Sequence, residues 1–278
     1  MVFMFVLFGS LLEAAGVGNY FIRTAFAGLG HMRGGPAKAA VVSSAMTGLV
    51  SGSSIANVVT TGTFTIPLMK KVGFTPEKAG AVEVASSTNG QLTPPVMGAA
   101  AFLMVEYVGI SYIEVIKHAF LPAIISYIAL VYIVHLEACK MNLQGLPKRK
   151  GKTLAQSLLT FVFVILGLII IGGCTYYGLG WIKTVAGAAA IWIVCALLLV
   201  AYIGLLYLAC RVPDLEVTTE IKELPDLGST AQAGYYYLLP IVVLMWCLIV
   251  ERLSPALSAF WATVLLIFIV LTQHPLKG

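Results

Sequence analysis

The chain has 278 residues, of which 59% are hydrophobic and only 10% are charged. A soluble domain carries about 25% charged residues, so this composition excludes an ordinary soluble globule, a disordered chain and a disulfide-rich secreted module. It indicates an integral membrane protein. The net charge of +5, from 17 basic and 12 acidic residues, is then a signal of orientation in the bilayer rather than of nucleic-acid binding.

Residues 1–30 begin with the apolar run VFMFVLF directly after Met1. This start lacks the basic segment and the small-residue cleavage site of a signal peptide. We interpret the region as the end of a preceding span followed by a connecting arm. Because the chain also ends just after a hydrophobic run, we expect it to be a piece of a longer protein.

Residues 36–69 form two short apolar arms around the polar tip SGSS at 51–54. Each arm has 15 residues, or roughly 22 Å of helix, which is too short to cross a hydrocarbon core of about 30 Å. The pattern therefore predicts a re-entrant hairpin that enters and leaves the membrane by one face. Basic residues flank both bases and place them on the cytoplasmic side. They are Arg33, Lys38, Lys70 and Lys71.

Residues 76–106 are long enough to span but are interrupted in the middle. The helical pattern of 76–88 meets the sequence NGQLTPP at 89–95 and resumes over 96–106. An Asn-Gly pair and two adjacent prolines disfavour continuous helix. The sequence thus predicts a broken transmembrane helix immediately after the hairpin.

The remainder of the chain has the pattern of conventional spans. Residues 119–136 complete a transport region over 31–137, and a basic loop at 138–153 is predicted to be cytoplasmic. Residues 154–278 are predicted to be scaffold spans, incomplete at the C-terminus. Their long apolar runs are 154–173, 183–209, 236–250 and 255–272.

Non-helical backbone at membrane depth persists only where protein or a wet cavity satisfies its polar groups. Two breaks close together in sequence therefore predict a shared polar site. Half-helix N-termini favour an anion such as a carboxylate, whereas the carbonyl ends suit a small hard cation. Side-chain oxygens that could complete the shell are those of Ser51, Ser53, Ser54, Asn57, Thr88 and Asn89. The alternative is that these small polar residues only allow close helix packing.

Glu83 falls inside the predicted half-helix that precedes the break. Two placements are open for it: a cavity, where it would relay an ion, or a helix end at the membrane interface. The four histidines lie near span boundaries without metal spacing, and we assign them no catalytic or metal role. They are His31, His118, His135 and His274.

Two other function classes compete with a transporter. An intramembrane hydrolase could use Ser53 or Ser54 as nucleophile, but it would need a base within hydrogen-bond reach, and neither broken element contains a histidine. A channel or a structural membrane component also uses re-entrant loops. A loop paired with a broken helix fits alternating access better.

Two long motifs carry a resemblance to a known family. GLVSGSSIANVVTTGTFTIPLMKKVGF and GAVEVASSTNGQLTPPVMGAAAFLMVE resemble the large permease (M, DctM-like) subunit of TRAP transporters, closest to the fused type paired with TAXI-class binding proteins. FVLFGSLLE and GGPAKAAVVSSA also fit. The similarity is strong over about residues 3–137 and looser beyond.

The resemblance implies a secondary transporter in a bacterial or archaeal cytoplasmic membrane that imports organic acids, with C4-dicarboxylates as one candidate class, with sodium as coupling ion and with no cofactor. It also implies two partners: a periplasmic substrate-binding protein, and a small (Q) membrane subunit or fused domain. Matching the family's hairpin tip and unwound helix assigns ion and substrate binding to Ser51, Gly52, Ser53, Ser54, Asn57, Thr88, Asn89, Gly90, Gln91, Thr93, Pro94 and Pro95. The sodium ligands would lie among Ser51, Gly52, Ser54, Asn57, Thr88 and Asn89.

The family uses an inverted repeat with a second hairpin and a second broken helix, and no such pattern follows residue 150. We therefore expect one half of an inverted-repeat, ion-transporter-like secondary transporter. The expected fold class is an all-α integral membrane protein, a multi-span helical bundle with a re-entrant helical hairpin and a broken transmembrane helix.

Overall fold

The computed structural model describes residues 2–94, 96–145, 190–211 and 227–277. Within these ranges all regular structure is helical, and a short 3₁₀ turn at Tyr235–Leu238 precedes α10. The helices are α1 Val2–Ala14, α2 Val17–Leu29, α3 Gly35–Ser51, α4 Ser54–Lys71, α5 Pro76–Gly90, α6 Ala99–Val108, α7 Tyr112–Lys140, α8 Ala190–Cys210, α9 Leu227–Gln232, α10 Leu239–Ile249 and α11 Pro255–Lys277.

Two described helices are long and apolar enough to cross a membrane, α7 and the part of α11 over Pro255–Gln273. At 1.5 Å per residue the 29 residues of α7 extend about 43 Å, which exceeds the hydrocarbon core. Many of its large apolar side chains are exposed, among them Ile128 and Tyr132, as lipid-facing residues should be. The chain is therefore an all-α membrane protein, and the span predicted at 119–136 lies inside α7.

Helices α1 and α2 are bent by 64° at the short break between them. Gly16 at this break has φ +95°, in the left-handed region that glycine adopts without steric cost. Together the two helices are long and apolar enough to make one broken span. Within the region 1–30, predicted as a span end followed by an arm, Val2–Ala14 and Val17–Leu29 are thus helices on the two sides of a sharp bend.

The predicted scaffold runs correspond to helices wherever the structure describes them. The run at 183–209 overlaps α8, the run at 236–250 covers the 3₁₀ turn and α10, and the run at 255–272 lies in α11. The run at 154–173 and residues 146–153 of the predicted basic loop lie outside the described residues, whereas the first residues of that loop belong to the end of α7 at Lys140.

Helices α3 and α4 form a hairpin whose tip contains only two non-helical residues, Gly52 and Ser53. Gly52 has φ +58°, and the Ser53 hydroxyl caps α4 by accepting a hydrogen bond from the Ala56 N–H at 3.3 Å. The arms have 17 and 18 residues, or roughly 26 and 27 Å. The arms are longer than predicted but still shorter than the hydrocarbon core.

The broken helix consists of α5 and α6, joined by residues 91–98. Thr75 caps α5, and α5 continues through Gly90, two residues beyond the predicted end. Three successive i→i−3 bonds follow, donated by the N–H groups of residues 91, 92 and 93, before Pro94, which has no N–H to continue them. The Gly98 N–H then donates to the Gln91 carbonyl at 2.8 Å and closes the loop.

The interior shared by α3, α4 and α5 is polar rather than apolar. Its fully buried members are Ser43, Ser44, Thr61, Thr65, Glu83, Ser86 and Ser87. Exposed apolar residues such as Ile55, Val59 and Val84 lie on the outer faces of α4 and α5. The apolar core lies elsewhere, where α1, α10 and α11 pack around Phe8, Leu244 and other large side chains. The hairpin and the broken helix thus enclose hydrophilic groups.

Candidate functional site

The tip of the hairpin lies directly against the break between α5 and α6. Gln91 donates a hydrogen bond from Nε2 to the Ser54 hydroxyl at 3.0 Å. A Cβ placed on Gly52 would lie 2.3 Å from the Met97 carbonyl oxygen, so only glycine allows this backbone approach. The structure therefore brings together the two breaks that the sequence predicts to share a site.

Four helix ends meet around this contact. Helices α4 and α6 begin at Ser54 and Ala99, whereas α3 and α5 end at Ser51 and Gly90. The first pair presents free N–H groups and partial positive charge, and the second pair presents partial negative charge. At the end of α5 the carbonyls of residues 88–90 already accept hydrogen bonds from residues 91–93. The arrangement can accept an anion at one pair of ends and a cation at the other.

Three of the hairpin residues assigned from sequence are engaged at the tip. The Ser51 hydroxyl is buried and donates a hydrogen bond to the Ser53 carbonyl at 3.5 Å. The Ser53 hydroxyl caps α4, and the Ser54 hydroxyl accepts from Gln91. These hydroxyls are oriented by a backbone N–H and an amide rather than by a base, which is not the arrangement that a serine nucleophile requires.

Asn57 is 1% exposed and faces α3 rather than the tip. Its Nδ2 donates to the Ser44 carbonyl and lies 3.0 Å from the Ser44 hydroxyl, so it joins the two arms. Its Oδ1 is buried without a hydrogen-bond partner among the described residues. An unpaired buried oxygen is costly, and an amide oxygen is a ligand suited to a hard cation.

The assigned residues of the broken helix are arranged less uniformly. Thr88 is exposed, and its hydroxyl donates to the Val84 carbonyl of its own helix at 2.7 Å. Thr93 donates to the Asn89 carbonyl at 2.9 Å, which stabilises the break itself. Pro94 is buried, and Pro95 lies outside the described residues. No described contact joins Thr88 or the Asn89 side chain to the hairpin.

Gly90 belongs to the place where α3 and α5 cross. A Cβ on Gly48 would lie 2.5 Å from the Gly90 Cα, and a Cβ on Gly90 would lie 3.0 Å from the Gly48 Cα. The two helices therefore touch backbone to backbone, as small residues permit in membranes. This contact holds the end of α5 beside the hairpin.

Glu83 is fully buried at the middle of α5, so the helix-end placement is wrong for it. Its carboxyl is surrounded by the hydroxyls of Thr61 and Thr65 on α4 and of Ser87 on α5. Sequence reasoning did not join these residues into a cluster. The signal available was the spacing of four residues between 57, 61 and 65 and between 83 and 87, which puts each set on one helix face.

Charged residues tie the bases of α3 and α5 to α7. Lys38 of α3 lies 3.0 Å from the His135 ring, measured from Nζ to Nδ1. Lys78 of α5 forms an ion pair with Glu137 at 2.6 Å. Among the described residues, no contact between a basic side chain and α7 is found at the opposite end, where the tip meets the break.

We expect Asn57→Leu to weaken the packing of α3 against α4. Leucine removes the hydrogen bonds to Ser44, and one lost buried bond costs about 1–3 kcal/mol. The free energy of unfolding should fall by about that amount, which thermal unfolding of the purified protein measures.

Asn89→Leu is the matched comparison for stability, because the described hydrogen bonds of Asn89 involve only its backbone. Thermal unfolding of the two purified variants measures the difference. Equal melting temperatures of the two variants would show that the Asn57 amide does not stabilise the hairpin.

Several known proteins are similar in sequence to the part of the chain that contains the hairpin and the broken helix. The family model for the DctM component of tripartite ATP-independent periplasmic transporters matches residues 1–221. The C4-dicarboxylate TRAP transporter large permease protein DctM of Vibrio cholerae is 30% identical over 191 residues, which are 68% of this chain and 41% of that protein. Uncharacterized protein YgiK of Salmonella typhimurium is 28% identical over 201 residues, 71% of this chain and 44% of YgiK.

The sialic acid TRAP transporter large permease protein SiaM of Vibrio cholerae is 26% identical over 170 residues, 61% of this chain and 39% of SiaM. The chain thus spans less than half the length of these relatives. Because the family match extends over residues 1–221 and includes both the hairpin and the broken helix, the chain belongs to the DctM family of TRAP transporter large permease components, which are membrane permeases and not enzymes.

Proposed function

We propose that this chain supplies one half-site of a secondary transporter that imports organic acids by coupling them to a sodium gradient. The observation that carries the proposal is the contact between the hairpin tip and the break of α5 and α6, through Gln91 and Ser54 and through Gly52 and Met97. In this family, such a contact supports a site for ions and substrate rather than mere helix packing.

The charge pattern of the helix ends favours a carboxylate substrate. The N-termini of α4 and α6 each offer partial positive charge and unbonded N–H groups. The names of two relatives specify C4-dicarboxylates and sialic acid, which are both carboxylates. We therefore extend the carboxylate class to this chain, with dicarboxylates as one possible subset.

The carbonyl ends of α3 and α5 favour a cation, to which the hairpin adds side-chain oxygens. The proposed sodium ligands remain among Ser51, Gly52, Ser54, Asn57, Thr88 and Asn89. Within this set the buried and unpaired Oδ1 of Asn57 is the strongest single candidate, whereas the exposed Thr88 is bonded to its own helix and is the weakest.

We further propose that a periplasmic binding protein delivers the substrate and that a small (Q) subunit or fused domain accompanies the permease. Family membership supports both partners. The apolar helices support a location in a bacterial or archaeal cytoplasmic membrane, and the basic residues at the hairpin bases support cytoplasmic bases and a cytoplasmic 138–153 loop.

The test is uptake of a labelled carboxylate by the complete permease, reconstituted in vesicles together with its binding protein. An inward sodium gradient should drive accumulation, and an equal potassium gradient should not. Accumulation that is indifferent to sodium would overturn the coupling, and failure to take up any member of a carboxylate panel would overturn the substrate class.

A further inference from the structure

The carboxyl group of Glu83 is the most buried charged group of the transport region, at 0% exposure. Thr65 Oγ1 lies 2.5 Å from Oε2, Ser87 Oγ lies 3.3 Å from Oε1, and the Thr61 hydroxyl also contacts Oε1. The space for this carboxyl exists because residue 62 is glycine, where a Cβ would lie 3.2 Å from the Glu83 Cγ. The function proposed above makes no use of this cluster.

The described residues offer this carboxyl no positive partner. On α3 the nearest link is Ser44, which bonds Ser87, and Lys38 is bonded to His135 of α7. On α5 itself Lys78 is paired with Glu137. The basic residues at the end of α4, Lys70 and Lys71, are exposed. The Tyr127 hydroxyl of α7 donates a hydrogen bond to the Ser86 carbonyl rather than to Glu83.

The surrounding hydroxyls can satisfy either charge state of the carboxyl. Thr61 can donate to the Asn57 carbonyl at 2.7 Å or to Glu83, and Thr65 can donate to the Thr61 carbonyl at 2.9 Å or to Glu83. When Glu83 is ionised, both threonines turn their protons to it. When it is protonated, its own O–H donates to one threonine oxygen, and the threonine proton goes to the helix carbonyl.

The arrangement fits a proton. Thr65 Oγ1 and Glu83 Oε2 lie 2.5 Å apart, in a hydrogen bond for which either oxygen can be the donor. A buried carboxylate that lacks a positive partner is neutralised rather than left charged, and the described residues surround Glu83 with hydroxyls and no basic group.

We propose that Glu83 is a proton-binding site, occupied when α4 and α5 are packed as in this structure and vacated when the two helices separate and water reaches the carboxyl. Proton binding at Glu83 then makes the movement of the hairpin against α5 sensitive to pH, an inference that rests on the transport function proposed above. The proton binds to a carboxylate oxygen and leaves to water, so the step is a simple acid dissociation.

The site itself is tested by infrared spectroscopy of the complete permease in membranes. At pH 7, where exposed carboxyls are ionised, the wild-type protein should show the C=O stretch of a protonated carboxylic acid. Glu83→Gln should remove this band, and Glu77→Gln, an exposed carboxyl in the first turn of the same helix, should retain it. A band that is absent in the wild type, or unchanged in Glu83→Gln, overturns the proposal.

The coupling is tested by uptake as a function of pH. Wild-type and Glu77→Gln proteins should share a pH dependence with a slope of up to about tenfold per pH unit, as a one-proton step requires. Glu83→Gln mimics the protonated form and should flatten this slope while the sodium requirement persists. An unchanged slope in Glu83→Gln overturns the coupling. Loss of sodium-driven uptake in the wild type would instead refute the transport proposal, and the infrared result would still decide the proton site.

Discussion

Gly52→Ala should abolish uptake and lower the melting temperature of the purified permease. The new methyl group would lie 2.3 Å from the Met97 carbonyl oxygen, which is backbone and cannot swing away. The φ of +58° adds its own cost for any residue with a Cβ. Overpacking costs about 1–3 kcal/mol and the left-handed conformation about 1–2 kcal/mol, so the tip and the break should separate.

Gly109→Ala is the matched control for this substitution. Gly109 ends α6 with φ +73°, but a Cβ there meets nothing within 4 Å. This variant therefore has the conformational cost of a positive φ but no steric clash of the new methyl group. If the two variants lose the same amount of stability and uptake, the contact between hairpin tip and break contributes nothing measurable. Thermal unfolding and uptake of both proteins, side by side, decide the matter.

Gly48→Ala should have the second largest effect. Its methyl group would lie 2.5 Å from the Gly90 Cα, where α3 and α5 cross. Relief requires one whole helix to move, so we expect a loss of stability toward the upper part of the about 1–3 kcal/mol range for overpacking. Because that movement would carry the end of α5 away from the hairpin, uptake should fall with stability.

Gly80→Ala provides the corresponding control on α5. Nothing lies within 4 Å of a Cβ at this position, and alanine is favoured over glycine inside a helix by about 1 kcal/mol. This variant should be as stable as the parent or more stable, with normal uptake. Equal behaviour of Gly48→Ala and Gly80→Ala would contradict the close crossing of α3 and α5. Thermal unfolding in detergent and vesicle uptake provide both readings.

The sequence was sufficient to locate the elements whose causes are local. Gly52 ends the first arm and Ser53 caps the start of the second, and the Asn-Gly and Pro-Pro pairs interrupt the following helix. The exact ends were less predictable. Asn89 and Gly90 stay helical because the i→i−3 hydrogen bonds of the following residues continue the helical turn as far as Pro94.

The contacts between elements could not be read from the sequence, because they depend on how α3, α4 and α5 pack. Nothing local shows that Asn57 faces Ser44 or that Gln91 reaches Ser54. The burial of Glu83 likewise follows from its position opposite Thr61 and Thr65 on another helix. A search for polar residues four apart on neighbouring predicted helices would have shown the faces but not their pairing.

Disulfide cross-linking of the pair Ser54→Cys and Gln91→Cys tests most directly whether the hairpin tip and the broken helix form one site. The five native cysteines are first replaced in the complete permease, and linked peptides are identified by mass spectrometry after mild oxidation in membranes. The pair Ser54→Cys and Thr75→Cys is the control, because Thr75 lies at the other end of α5, about 22 Å along the helix. A link in the first pair alone, with uptake blocked until it is reduced, is the predicted result. No link in the first pair, or a link that leaves uptake unchanged, would contradict the account.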